Sequence, residues 1–437
     1  MVSNPPVTPE TPEPDALPAG RRSPLTTYRW SIVGLLFFAS TINYLDRQTL
    51  SVVAPQLKHD FNLTNSQFAD IVSAFFVAYA IMYTLSGKVM DAIGTRLGMA
   101  LSIAWWSVAA ALHSVARGFD SLRLYRFMLG VGEPGMFPAA VKTVRESFPE
   151  KQRALAIGIF NSGTSIGALI APPVVTFLML KYSWRLAFLA TGSLGFLWMI
   201  AWLVLTGIGK RRGFVASAQQ AERAASLRPK VRWVEILQHR QVWGILAGRT
   251  FADPAWYFYL TWLPLYLHDV RHVSLAAIGY YFALLPAVTG DVGNVVGGWL
   301  SGFLMRSGRG VIQARQLAML ATVIAMPVIY FGTRVDSTWV VVGAISLATM
   351  MHQSWSANIT TLPADVCPEA VVGSVAGLAG TAGSLASVGF TLFVGWAADH
   401  HHYPMVFLGA TAIYPIGWVL NRWLVKEKWV ATLERSE

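Results

Sequence analysis

Apolar stretches of about twenty residues recur along the whole chain, separated by short polar turns. Twelve such runs are legible. The first six lie roughly at 30–53, 68–90, 98–117, 120–144, 154–178 and 184–207, and the second six at 242–267, 277–304, 314–333, 338–362, 372–396 and 404–425. A run of this length matches the hydrocarbon thickness of a bilayer when it is helical, and a helix satisfies its own backbone there. The pattern therefore predicts an all-α polytopic membrane protein with twelve transmembrane helices and the lipid bilayer as its main partner.

One polar, basic connection, Gly209 to Arg240, is much longer than the other turns and divides the runs six and six. The expected organisation is a disordered proline-rich tail over 1–27, a six-helix bundle over 28–208, a linker over 209–240, a second six-helix bundle over 241–426 and a short tail over 427–437. A weak repeat supports two related halves. Gly87, Asp91, Gly94 and Arg96 follow the second run, and Gly297, Gly298, Arg306 and Arg309 follow the eighth. Two related six-helix halves suggest a two-fold arrangement around a central cavity, with a ligand site near the midplane.

Charge sharpens this picture. Only 13% of residues are charged, about half the share in a soluble domain, and the mean hydropathy is +0.46. The formal net charge is +11, yet the basic residues gather in alternate loops. The positive-inside rule accounts for that asymmetry without nucleic acid, and it puts both termini in the cytoplasm. A single cysteine, Cys367, excludes an intramolecular disulfide and a cysteine-based zinc site. No phosphate-binding G-x-x-x-x-G-K-[ST] loop, G-x-S-x-G elbow or H-E-x-x-H pair is present, so neither an ATP-driven pump nor a familiar hydrolase is indicated, and no cofactor or metal is expected.

The chemistry lies in ionisable residues inside the apolar runs, where a charge costs roughly 2.5–3.5 kcal/mol on insertion scales. Arg126 and Glu133 in the fourth run are two helical turns apart and share a face. Asp46 and Arg47 close the apolar part of the first run, with Tyr44 on the face of Arg47. Arginine suits a carboxylate ligand because its fork makes two parallel hydrogen bonds, and a buried aspartate is a candidate proton site. Tyr79 in the second run, Asn161 and Thr164 in the fifth, Trp256 and Tyr257 after Pro254 in the seventh, and Gln353, Trp355 and Asn358 in the tenth supply candidate ring and hydroxyl contacts. Arg249 and Asp253 stand four apart and are placed to neutralise one another.

The stretch Gly87-x-x-x-Asp91-x-x-Gly94-x-Arg96 resembles the signature loop of the major facilitator superfamily. Within it, Tyr44-Leu45-x-Arg47, Arg126 with Glu133, Ser147-Phe148-Pro149-Glu150-x-x-Arg153, the Phe160–Pro173 stretch, Pro254-Ala255-Trp256 and His352-Gln353 resemble the anion:cation symporters, bacterial hexuronate transporters in particular. The resemblance implies the major facilitator fold, two six-helix bundles, and proton-driven import of a small sugar-acid anion by alternating access across the bacterial inner membrane. A hexuronate such as galacturonate or glucuronate is the first expectation. Galactonate, glucarate or galactarate, or an aromatic acid is the alternative, and a non-transporting membrane sensor the more distant one. Related galactonate carriers pair Asp with Arg as Asp46-Arg47 does, but have glutamine where Thr164 stands, which favours a hexuronate. On this resemblance Arg47 takes the carboxylate with Tyr44 and Tyr79 in support. Glu133 is the main proton site, tuned by Arg126. Asp46 is a second proton site or the partner of Arg47 in the empty carrier. Asp91 and Arg96 belong to a cytoplasmic gate. A monomer is expected.

Overall fold

The computed structural model describes residues 24–211, 233–368 and 371–429; the side chains of Lys88, Asp91, Glu150, Lys151, Ala154 and Lys210 are not described. Every regular element among the described residues is helical. Span 1 is Pro24–Phe61, span 2 Asn65–Ile93, span 3 Thr95–Leu112, span 5 Glu150–Lys181 and span 6 Trp184–Arg211. Span 4 is interrupted, Phe119–Gly132 and Met136–Ser147 being joined by a 3-10 turn over Glu133–Gly135. In the second half, span 7 comprises Arg240–Thr250 and Asp253–Asp269, and span 8 leads through a π-helical turn at Ile278–Phe282 into Leu284–Arg306. Span 9 comprises Val311–Ala325 and Pro327–Gly332; spans 10, 11 and 12 are Thr338–Val366, Val372–Asp399 and Tyr403–Leu424.

The first helix starts at Pro24, so residues 24–27 of the expected tail are helical; the rest of that tail lies outside the described residues. Span 6 runs on to Arg211 and a short helix covers Trp233–Leu237, at the two edges of the expected linker, whose middle is likewise outside the described residues. Among the described residues, eight helices are long and apolar enough to cross a membrane by length and composition alone. The four spans that fall short are 1, 4, 7 and 10. They carry Asp46 and Arg47, Arg126 and Glu133, Arg249 and Asp253, and His352 with Gln353.

Glycines set how closely the spans approach. A Cβ on Gly163 or Gly167 of span 5 would collide with the Phe37 and Thr41 carbonyls of span 1, and one on Gly293 of span 8 with the Met350 carbonyl of span 10. Backbones this close gain dispersion where no hydrophobic force separates helix from lipid. Within each half, span 1 packs on 5 and 2 on 4, as 7 packs on 11 and 8 on 10. Between the halves, span 2 packs on 11 and 5 on 8, the exchange a two-fold relation produces.

The halves are clasped at the end of the molecule remote from Pro24 and Leu424. Lys58 Nζ pairs with Asp269 at 2.7 Å, and the Asp399 carboxylate accepts from Asn65 N at 2.8 Å and from Ser66 N at 2.9 Å. Asp399 thus caps the first turn of span 2 with a charge of the favourable sign, from the other half. Closer to the midplane, Ser51 donates to the Leu260 and Thr261 carbonyls of span 7.

Gly163→Val forces the Phe37 backbone to move, an overpacking that costs about 1–3 kcal/mol. It is expected to lower the thermal unfolding midpoint in detergent, whereas Gly343→Ala, in span 10 with open space around its Cα, leaves the midpoint unchanged or raises it.

Candidate functional site

The break in span 4 positions its carboxylate. Pro134 has no N–H to continue the ladder, so Glu133 sits where the α-helix ends. Gly130 and Gly132 let spans 2 and 3 close in around it: a Cβ there would strike the Phe75 carbonyl in the first case and the Trp105 ring and Trp106 backbone nitrogen in the second. Glu133 is fully buried, and its Oε2 accepts from Arg47 Nε at 3.0 Å and Nη2 at 2.5 Å. Its Oε1 has no hydrogen-bond partner among the described residues. The Arg47 guanidinium lies over three rings, with centroids 5.2 Å away at Tyr44, 5.2 Å at Phe75 and 5.0 Å at Tyr79. This cage favours a delocalised cation over an ammonium.

Arg126 and Glu133 do face the same interior, but they do not pair. Arg126 Nη2 donates to the Arg47 carbonyl at 3.0 Å, and its Nε and Nη1 are buried without hydrogen-bond partners among the described residues. Asp46 does not hold Arg47 in this structure; that place is taken by Glu133. Neighbours on a helix point about 100° apart, so Asp46 turns away from the cleft into the first half. It is 2% exposed there, facing Trp106, Thr191 and Arg126, and neither oxygen has a hydrogen-bond partner within bonding geometry among the described residues.

Two adjoining cavities lie between the halves. The smaller is lined by Arg47, Arg126, Phe75 and Phe76 from the first half and by Tyr257, Leu260 and Thr261 of span 7. The larger is lined by Tyr44, Thr164 and Ser165 on one side and by Trp256, Asp291, Asn294 and Gln353 on the other. Gln48 and Leu260 belong to both walls. The break in span 7 puts Trp256 and Tyr257 in the first turn after Pro254, and Arg249 Nη2 spans the break to Asp253 Oδ2 at 2.8 Å, the neutralising pair expected of them. Trp256 stacks on His352 with centroids 5.0 Å apart, and His352 Nδ1 is 2.7 Å from the Tyr414 hydroxyl. Tyr257 meets Phe76 of the other half at 4.4 Å between centroids.

The geometry thus gathers Tyr44, Arg47, Tyr79, Arg126, Thr164, Trp256, Tyr257 and Gln353 at the cleft or one contact behind it. Three other expected contacts lie elsewhere. Trp355 is fully buried inside the second half, donating to the Gly248 carbonyl at 3.1 Å, one of the backbone groups beside the break in span 7. Asn358 is also fully buried, donating to the Gly297 carbonyl at 3.1 Å where spans 8 and 10 touch. Both share the face of His352 rather than that of Gln353, and helical spacing alone does not say which face meets the cavity. Asn161 is exposed and lines neither cavity. Of the gate pair, the Asp91 side chain is outside what the structure describes, and Arg96 binds span 6 through Thr206 Oγ1 at 3.0 Å and the Leu203 carbonyl at 3.2 Å. The cleft also contains Gln48, Phe75, Asp291 and Asn294, which were not expected to line it. An acid and an amide three apart on span 8 were the available signal.

Arg47→Leu leaves Glu133 as an uncompensated buried charge, a change that costs about 3–5 kcal/mol. The double change Arg47→Leu with Glu133→Leu is expected to recover most of that loss in detergent unfolding while leaving ligand binding abolished.

Comparison with known proteins places the chain. Residues 36–391 match the model of the Major Facilitator Superfamily. The hexuronate transporter of Escherichia coli (strain K12) is 31% identical over 406 residues, covering 91% of this chain and 94% of that protein. A galacturonate transporter of Dickeya chrysanthemi is 33% identical over 280 residues, 62% and 81% of the two chains. A probable galactarate/D-glucarate transporter of Bacillus subtilis (strain 168) is 30% identical over 423 residues, 91% and 92%. Among solved structures, a bacterial homologue of the human lysosomal transporter Spinster, inward-facing and occupied, superposes with a TM-score of 0.75 at 17% identity, covering 93% of this chain and 99% of that one. A twelve-helix membrane protein with buried charges lining a cleft between its halves, matched in sequence over most of its length, belongs to the Major Facilitator Superfamily and is a membrane transporter, not an enzyme.

Proposed function

We propose that the protein imports a sugar-acid anion, a hexuronate first of all, together with a proton, by alternating access across a bacterial inner membrane with both termini in the cytoplasm. The observation that carries this reading is the Arg47–Glu133 pair at the wall of the cleft. Arg47 offers a caged, bidentate fork to a carboxylate, and the group it now holds is itself a carboxylate. An entering substrate carboxylate competes with Glu133 for the same donors.

Charge balance ties the proton to the substrate. The buried cluster contains two arginines, Arg47 and Arg126, and two carboxylates, Asp46 and Glu133. With both acids ionised it is neutral. One proton leaves one net positive charge, and a monoanion restores neutrality. In a low-dielectric interior the balanced states are strongly preferred, so the proton and the anion enter and leave together. The clasp of Lys58, Asp269 and Asp399 closes the end remote from the termini, which corresponds to a carrier shut to the periplasm. Tyr44, Thr164, Trp256 and Gln353 supply the ring face and hydroxyl contacts that a sugar acid calls for. The named relatives, carriers of hexuronate, galacturonate and galactarate or glucarate, support the same substrate class.

In proteoliposomes with an acidic exterior, the wild-type protein is expected to concentrate galacturonate. Glu133→Gln is expected to exchange substrate across the membrane but to lose accumulation driven by the pH gradient. Arg47→Lys, which keeps the charge but not the fork, is expected to weaken apparent affinity at least tenfold. A Glu133→Gln carrier that still accumulates substrate as the wild type does would remove the coupling role from this residue.

A further inference from the structure

The larger cavity has a carboxylate of its own. Asp291, on Leu284–Arg306, lines the wall contributed by the second half. The Ser165 hydroxyl of the first half faces it across the cleft. Asp291 differs from the two carboxylates of the charge cluster. It is partly exposed, whereas Asp46 is 2% and Glu133 0% exposed, and among the described residues it has no ion-pair partner. On the opposite side of the same helix Gly293 packs directly against span 10, where a Cβ would collide with the Met350 backbone.

A bare acid is an odd lining for a cleft that receives anions, unless it reads the end of the ligand that carries no charge. Carboxylate oxygens accept hydrogen bonds from hydroxyls, and such charge-assisted bonds are short and strong. The same oxygens repel a second carboxylate. We propose that Asp291 is a specificity-determining residue: with the ligand carboxylate at Arg47, it accepts hydrogen bonds from hydroxyls at the far end of a monocarboxylic sugar acid and rejects the second carboxylate of a hexarate. This rests on the reading of the protein as a sugar-acid carrier. Discrimination of this kind comes from a repulsive element as much as from an attractive one.

The test uses the full-length carrier in proteoliposomes, with labelled galacturonate uptake competed by unlabelled galacturonate, galactarate and galactarate monomethyl ester. In the wild type, galactarate is expected to compete at least tenfold more weakly than galacturonate, and the monoester, with one charge masked, is expected to recover most of that difference. Asp291→Asn is expected to narrow the galacturonate-to-galactarate ratio at least tenfold, and Asp291→Glu to keep it. Equal competition by the two acids in the wild type, or an unchanged ratio in Asp291→Asn, overturns the inference while galacturonate uptake leaves the carrier reading intact. Absence of uptake of any sugar acid by the wild type overturns both. The monoester comparison needs no variant, so a poorly folding Asp291→Asn does not spare the proposal.

Discussion

A buried charge has to be answered. The Arg47 guanidinium lies near the middle of a membrane-embedded bundle, 10% exposed, and one carboxylate and three aromatic rings answer it. Glu133 neutralises it, Tyr44, Phe75 and Tyr79 present ring faces to it, and the broken fourth span delivers that carboxylate to the right depth. The glycines follow from the same demand. Gly130 and Gly132 exist to let spans 2 and 3 reach span 4, and without that closeness neither Phe75 nor Glu133 reaches the guanidinium.

The two halves meet differently along their length, and this gives the charge cluster leverage on the fold. At the end remote from the termini the contacts are polar and directional: an ion pair at Lys58, a helix cap from Asp399 and hydroxyl bonds from Ser51. Such bonds break and re-form against water at little net cost, since each one is exchanged for hydration. Glycine-on-backbone and ring-on-ring contacts occur within the halves and between them alike, as where Gly395 meets Asn65 and Ser66 and where Tyr257 meets Phe76. Arg47 and Tyr257, from opposite halves, line the same small cavity at that interface.

The twelve spans were legible because lipid imposes one length and one composition on every crossing helix. Departures from that rule have a place too: spans 1, 4, 7 and 10 are the ones that fall short of a crossing helix by length or composition, and all four contribute to the cleft walls or the charge cluster behind them. The pairing of charges was harder. Spacing put Arg126 and Glu133 on one face, but the partner of Glu133 stands on another helix, and no local pattern in the chain encodes that. Asp46 and Arg47 look like a pair in sequence and point to different places in space. Span 10 shows the same limit from the polar side. His352, Gln353, Trp355 and Asn358 are all plausible ligand contacts by composition, yet Gln353 alone among them lines the cavity, while Trp355 and Asn358 satisfy carbonyls of spans 7 and 8.

Stability does not explain the cluster. Replacing a buried ion pair by apolar residues of similar size is often neutral or stabilising, because both charges must be stripped of water to form it. Here the balance is poorer still. Both Asp46 oxygens, one Glu133 oxygen and two Arg126 nitrogens are buried without hydrogen-bond partners among the described residues. Each such group costs about 1–3 kcal/mol or more. A bundle selected only to fold has no reason to keep donors and acceptors in surplus beside one another when leucine fits the same space. Surplus groups of complementary sign on adjacent spans are what a site needs if its hydrogen bonds are to be redistributed when a proton or an anion arrives. The unmet groups at Asp46 and Arg126 stand beside the cleft that Arg47 lines, and the proposed transport of a proton with an anion gives that surplus a use.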